Sequence, residues 1–396
     1  MKFVIIDNFT IVVSLVLLLL GIVTPMLHPF FRFKKRNSYY GDGALVDSAN
    51  LPPLSIVLTP FDDTSSLQDN LPAFLRQNYP AGYQVVVVIE DGDHEAEEVI
   101  AQTISEHQAE NTTSYSQLYV TYIPKSSRYL SRKKLAITLG IKAVKTEWVV
   151  LTEVTCHPAT EKWLKSMASH CTDDINMVKG YSKYHEVSPA FERYDHINSA
   201  YYLMREDIRN IAYRSESHNL IIRKSDFMTQ DGFLGNLHLM RGEYDFIVNK
   251  FAQKGKTALA IDSDSWLIDD QPLRKSRKDH HIFYMETRRH LARCTMHRLL
   301  FVLDQIALHS YILLFIAAII LQVIKTNLVF GIAMLVSIIT WHTLRFIILR
   351  RGLRNFDEQM SIFGANYYDI SMIWRNFGYW LHHRMANKQD FITHKL

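Results

Sequence analysis

Leu54-Ser55-Ile56-Val57-Leu58-Thr59-Pro60-Phe61-Asp62-Asp63 sets a short apolar, β-branched run against a proline and two acids. A run of this kind is a buried strand, and Pro60, which has no N–H to donate, stops it. Downstream, residues 66–77 carry Leu67, Leu71, Phe74 and Leu75 at helical spacing, with Ser65 or Ser66 placed to cap. Residues 85–89 form a second buried strand ending in Glu90-Asp91-Gly92-Asp93, and 95–107 read as a helix. Residues 118–123 give a third strand, 133–145 a helix, and 148–151 a fourth strand ending in Thr152-Glu153-Val154-Thr155. Strands alternate with helices, and the apolar strands end in polar clusters. The pattern predicts an α/β fold with a doubly wound, mostly parallel sheet. Ligands of such sheets bind at the carboxyl ends of the strands, so 60–63, 90–93 and 153–155 should converge on one edge.

Outside this block the chain turns apolar. Runs at 9–27, 306–324 and 328–344 (extendable past Arg345 to 349) approach the roughly 20 residues that a helix needs to cross a bilayer. The third reaches that length by snorkelling Arg345. Basic residues flank the inner ends: Arg32, Lys34, Lys35 and Arg36 after the first run, Arg288, Arg289, Arg293 and Arg298 before the second, Arg350, Arg351 and Arg354 after the third. Basic flanks stay cytoplasmic, which puts the large block inside. A cleaved signal peptide fits the first run less well, because no small-x-small site precedes the basic cluster. The expected organisation is an anchor at 1–36, a linker at 37–53, a cytoplasmic domain at 54–295, two membrane helices at 296–350 and an amphipathic tail at 351–396. Net charge is only +4 and much of the excess sits beside the membrane, so it reads as contact with membrane lipids and not with nucleic acid. Cys156, Cys171 and Cys294 are too few and too far apart for a disulfide framework or a zinc site.

The ordered motifs resemble those of the inverting family 2 glycosyltransferases with the GT-A fold. Residues 54–63 are similar to that family's opening strand, Gln77-Asn78-Tyr79-Pro80 to its Gln-x-Tyr-Pro segment, and Glu90-Asp91-Gly92 to its acidic turn. Lys134 through Ile141 resembles its Lys-x-x-Ala-x-x-x-Gly-Ile helix, with the lysine one residue nearer the alanine. Asn219-Leu220 with Arg223-Lys224 resembles its Asn-Leu-Ala-x-Arg-Lys segment, and Gly242-Glu243-x-Asp245 its general-base motif. The resemblance spans about 54–290. It departs in two places. The family's Asp-x-Asp metal motif falls on Glu153-Val154-Thr155, and its Gln-x-x-Arg-Trp motif on Glu286-Thr287-Arg288-Arg289-His290.

The resemblance implies transfer of a sugar from a nucleotide diphosphate, expected to be UDP-linked, to a lipid-linked or polysaccharide acceptor at a bacterial inner membrane. Such a reaction needs a base for the acceptor hydroxyl and positive charge on the leaving diphosphate. Asp245 or Glu243 is the expected catalytic base. Pro60, Asp62, Glu90, Asp91, Lys134 and Glu153 are the expected nucleotide contacts, with Asp93 an alternative to Asp91. Asn219, Arg288, Arg289 and His290 fall on the acceptor or diphosphate side. A divalent cation, Mg or Mn, would sit on Glu153 and Thr155. Each acid has a structural reading too: Glu153 as an acid on a solvated rim, Asp91 as a turn acid capping the next helix, Asp245 as the N-cap of a helix at 246–253. The basic run at Lys125, Arg128, Arg132 and Lys133 reads as a solvated face. No Gly-x-Gly-x-x-Gly, Walker-type loop or His-Glu-x-x-His is present. A nucleotidyltransferase is disfavoured because 60–65 holds neither Gly nor Lys. A silent subunit that keeps the fold is the alternative to an enzyme. Two C-terminal helices are too few to enclose a polymer channel, so single-sugar addition is expected, with a homo-oligomer or partner subunit possible.

Overall fold

Alternate residues of the first strands feed two opposite cores, which is why these strands are almost wholly apolar, Ser55 and Gln84 being the buried exceptions near their starts. In β1 (Leu54–Leu58), Leu54, Ile56 and Leu58 enter one core and Val57 the other. In β2 (Tyr83–Glu90), Val85, Val87 and Ile89 are set against Val86 and Val88. In β4 (Trp148–Thr152), Trp148 and Val150 are set against Val149 and Leu151. The computed structural model describes residues 7–31, 50–61, 63–109, 116–125, 130–209, 211–270 and 274–386.

The remaining strands are β3 (Ser116–Ile123), β5 (Cys156–Pro158), β6 (Met177–Gly180), β7 (Ser182–Tyr184), β8 (Leu220–Arg223), β9 (Thr257–Ala260) and β10 (Leu267–Asp269). The helices are α1 (Asn8–Leu27), α2 (Thr64–Leu75), α3 (His94–Ala109), α4 (Arg132–Ala143), α5 (Trp163–Ala168), α6 (Ala190–Arg209), α7 (Lys224–Thr229), α8 (Glu243–Phe251), α9 (Arg274–Thr287), α10 (Cys294–Lys325), α11 (Leu328–Asn355) and α12 (Ile362–Met385). The main sheet runs β3-β2-β1-β4-β8-β6-β9. Its first four strands are parallel, β8 is antiparallel to both neighbours, and β6 and β9 are parallel. A smaller sheet, β5-β10-β7, adjoins it in sequence. The expected mostly parallel α/β sheet is therefore present, with one antiparallel strand.

Three local expectations are corrected. The cap of α2 is Asp63, whose carboxylate accepts from the Ser66 N–H at 3.2 Å, and neither Ser65 nor Ser66. Helix α8 starts at Glu243, its N-cap being Gly242 at φ 90°, so Asp245 lies in the first turn and is not the cap. A Cβ on Gly242 would stand 2.9 Å from Thr287 Cγ2, so the left-handed backbone and the close approach both call for glycine here. Asp93 caps α3 by accepting from the Ala96 N–H at 3.1 Å, which removes that role from Asp91.

The chain divides into two compact units, 1–34 with 295–378 and 35–294 with 379–396. The first contains three helices long and apolar enough to cross a membrane: Asn8–Leu27, Arg298–Lys325 within α10, and Leu328–Asn355. Ser337 donates to the Leu17 carbonyl at 2.7 Å, and Trp341 Nε1 to Thr24 Oγ1 at 3.2 Å, tying α1 to α11. Arg345 does not snorkel. It is buried, ion-paired with Asp369 of α12, and donates to Asn366 Oδ1 at 2.7 Å. Of the tail expected to be amphipathic, Ile362–Met385 forms α12. The second unit holds both sheets and the candidate site.

Candidate active site at the carboxyl edge of the sheet

The chain switches direction across the sheet between β1, whose neighbour β2 lies to one side, and β4 on the other. In sheets of this type the crevice opens beyond those strand ends. A cavity of about 620 Å³ lies there. Thr59 follows β1 into its wall, and Glu153 and Thr155 follow β4. The N-terminal turn of α4 adds Ser131, Arg132 and Lys133, and the start of α8 adds Glu243, Tyr244 and Asp245. Four separated segments thus converge.

Glu153 lines the cavity. It is buried, and its carboxylate lies 2.6 Å from Lys133 Nζ. Burial pushes its pKa up, but Lys133, His218 and the Tyr244 hydroxyl together outweigh that and hold it below the ordinary carboxylate value. The Lys133 ammonium loses hydration too, yet Glu153 and Glu243 raise its pKa above the ordinary value. At neutral pH the pair is ionised. Tyr244 is pushed the other way: burial and the negative Glu153 keep its hydroxyl protonated as a donor.

Asp245 has a different environment. It is buried, with Arg214 Nη1 3.8 Å away. Burial, helped by Glu216 and opposed by Arg214, raises its carboxyl to about 6. Glu216 captures most of the available positive charge. It lies 2.6 Å from Arg214 and 2.5 Å from Arg277, and Arg277 is held in turn by Asp195 at 2.8 Å. Burial opposes ionisation of Glu216, and the two guanidiniums overcome it. One acid is locked ionised while its neighbour titrates near neutrality, the divergence that marks candidate acid–base groups. Ser131 donates to Glu243 Oε1 at 3.4 Å, linking the two helix starts.

Not every expected residue enters this wall. Lys134 is buried, and its ammonium donates to Asn236 O at 2.8 Å, Asn236 Oδ1 at 2.7 Å and Leu239 O at 2.5 Å. A lysine offers three donors, so all are spent on one loop. Its neighbour Lys133, read from sequence as solvated, faces the cavity instead: successive helical residues point about 100° apart. Asn219 is fully buried and braces the sheet, donating to Tyr181 O and Ser265 O while accepting from Trp163 Nε1. Arg288, Arg289 and His290 form a short 3-10 turn beyond the cavity. Arg289 pairs with Glu286 at 3.2 Å and the His290 ring lies against His238. Pro60 is buried between wall residues Thr59 and Phe61. Asp62 lies outside the described residues. Glu90 and the exposed Asp91 stand at the end of β2 and do not line the cavity, though Glu90 pairs with Arg132, which does.

The expected hard cation meets a poor donor set. Mg²⁺ and Mn²⁺ take several oxygens, usually from carboxylates, phosphates and water. Glu153 is already paired with an ammonium, and the recorded neighbour of the Thr155 hydroxyl is Cys156 Sγ at 4.0 Å. Among the described residues the one group of three or more His, Cys, Asp or Glu suited to a metal is Cys156, His218 and Asp269, within 4.8 Å of one another. That set includes a buried thiol whose pKa burial drives well up, a soft ligand in its protonated form. The residues present do not fit Mg²⁺ or Mn²⁺.

No family model and no curated protein matches the chain. Solved structures do. The mannosyltransferase PcManGT from Pyrobaculum calidifontis, in complex with GDP-Man and Mn²⁺, is 13% identical over 88% of this chain and 100% of its own, at a TM-score of 0.49. GalNAc-T7 with UDP, GalNAc and Mn²⁺ is 11% identical over 60% of this chain and 49% of its own, at 0.38. S. aureus TarS 1-349 in complex with UDP-GlcNAc is 12% identical over 81% and 88%, at 0.39. Likeness this remote assigns no residue a role.

Proposed function

We propose that the chain is a membrane-bound glycosyltransferase that takes a sugar from a nucleotide diphosphate and transfers it, with inversion, to an acceptor delivered at the membrane. The observation that carries the reading is the convergence of Arg132, Lys133, Glu153, Arg241, Glu243 and Asp245 on one cavity at the switch point of a mostly parallel sheet. The ordered family motifs in the sequence supply three of these six.

The cavity has two chemically different sides. Lys133, Arg132 and the first turn of α4 make the cationic side, where the positive end of the helix dipole adds to the two side chains. A diphosphate belongs on that side. Asp245 makes the basic side. In the transfer, the acceptor oxygen bonds to the anomeric carbon as the bond from that carbon to the diphosphate breaks. The acceptor proton passes to the Asp245 carboxylate, and the diphosphate leaves with the electron pair. A carboxyl raised to about 6 is ionised at neutral pH and still basic enough to take a proton as the new bond forms. Asp91, exposed beside the cavity, is the proposed contact for base or ribose.

The basic flanks of the apolar runs favour a cytoplasmic domain, where nucleotide sugars are made. A lipid-linked or glycan acceptor accords with helices able to cross a membrane. The test is a screen of nucleotide sugars with full-length protein in detergent micelles, reading release of nucleoside diphosphate. At least one donor should be consumed faster than by Asp245→Asn. A second reading, a silent subunit, draws on Lys133 and Tyr244 occupying Glu153. It predicts no consumption of any donor and no nucleotide binding.

A further inference from the structure

We infer that Lys133 fills the role of a divalent cation in this site, so that the nucleotide diphosphate binds without metal. The inference rests on the proposed transferase reading and names how its donor is held.

The placement of Lys133 carries it. Its Nζ lies 2.6 Å from Glu153, the one carboxylate in the segment that corresponds to the metal motif. A cation held there by a single acid has its remaining valences turned toward the cavity. An ammonium has three N–H donors; even with one directed at Glu153, two remain for phosphate oxygens. The Lys133 side chain keeps about a third of its surface exposed, while Glu153 is buried beneath it. Both side chains line the cavity, with Lys133 the more exposed of the pair. Tyr244 holds the same carboxylate from the α8 side, so a metal would have to displace a charged partner and compete with a hydroxyl donor.

The surroundings extend the same charge. Lys133 stands in the first turn of α4, a helix of 12 residues whose N-terminal dipole favours anions. Arg132, next to it, is fixed by Glu90, and Arg241 lies over the Phe283 ring at 4.3 Å on the cavity wall. These are permanent charges, unlike a metal that exchanges with solvent. Glu243 adds to Glu153 in raising the basicity of Lys133 and keeping it protonated. The chemistry recognised is a nucleoside diphosphate, with Lys133 as a binding residue.

The experiment is titration of UDP and then GDP into the full-length protein in micelles, by calorimetry, in EDTA and in MnCl₂. The wild type should bind one of them with the same affinity in both buffers. Lys133→Ala should lose roughly tenfold or more in EDTA, the size of one charge-assisted hydrogen bond, and regain it in Mn²⁺ because Glu153 is freed. Lys133→Arg should keep metal-free binding and shows that loss in the alanine variant is not misfolding. Wild-type binding that needs Mn²⁺ overturns the inference and leaves the transferase reading standing. Metal-free binding unchanged in Lys133→Ala also overturns it. Failure of both nucleotides in both buffers overturns it together with that reading.

Discussion

Two acids stand at the ends of parallel strands on either side of β1 and have opposite fates. Glu90-Asp91 closes β2 and Glu153 follows β4, each after an unbroken apolar run. Asp91 is exposed, and the adjacent turn is capped by Asp93. Glu153 is buried under Lys133 and Tyr244. The strands are equivalent; what packs over them is not. The starts of α4 and α8 meet at the β4 end, whereas among the described residues Asp91 stays exposed. A polar cluster at a strand end marks where a site can form. Segments distant in sequence decide whether it does.

The largest effect should come from the buried side. Asp245→Asn should lower turnover by roughly 10²- to 10⁴-fold, the contribution of a positioned base, with nucleotide affinity unchanged. Initial-rate kinetics beside calorimetry check both halves. The same carboxyl sets the pH profile of the wild type. Below about 6 it is protonated and can no longer act as a base for the acceptor proton, so the rate should fall as pH drops through that value and level off above it. A profile flat from pH 5 to 8 would move the base elsewhere.

Glu153→Ala strands the Lys133 ammonium in the cavity. It should lower stability by about 1–3 kcal/mol in urea titrations and reduce nucleotide affinity with it. Gly140→Ala probes the frame that carries α4. A Cβ there meets Val57 Cγ1 at 2.4 Å, so the helix must lift from β1. Overpacking of this kind costs about 1–3 kcal/mol, and nucleotide binding should weaken as the start of α4 shifts. The smallest effect belongs to the exposed acid. Asp91→Asn should leave stability within about 0.5 kcal/mol and weaken nucleotide affinity only a few-fold. A stability loss at Asp91 as large as that at Glu153 would erase the contrast between the two strand ends.

Much of the frame was legible because it depends on local pattern. Val57 between Ile56 and Leu58 reads as a strand with two buried faces, and Leu67, Leu71, Phe74 and Leu75 read as one face of α2. The apolar runs gave the three long helices in the same way. Rotation about a helix axis was harder to read. Lys133 and Lys134 are adjacent and chemically alike, and only the loop at 236–239 decides which one is consumed. Asn219 carries a family motif in sequence but serves as a brace. Gly180 confirms the tightness there, since its Cβ would lie 2.3 Å from Asn219 Nδ2. His218, one residue earlier, lines the cavity, as do Tyr244 and Arg241, and the sequence motifs assigned none of the three to a site. The start of α8 could have been found from Gly242, which needs a left-handed backbone and so places the acids behind it in the first turn. Arg345 was misread because its partner Asp369 lies in another helix.

Hydrogen exchange on the full-length protein, with and without a nucleotide sugar that it consumes or binds, tests the convergence most directly. The account predicts slowed exchange at 131–134, 153–155 and 241–245 together, with little change at 286–290. Slowing confined to one of the first three segments, or absent from all of them, would contradict it.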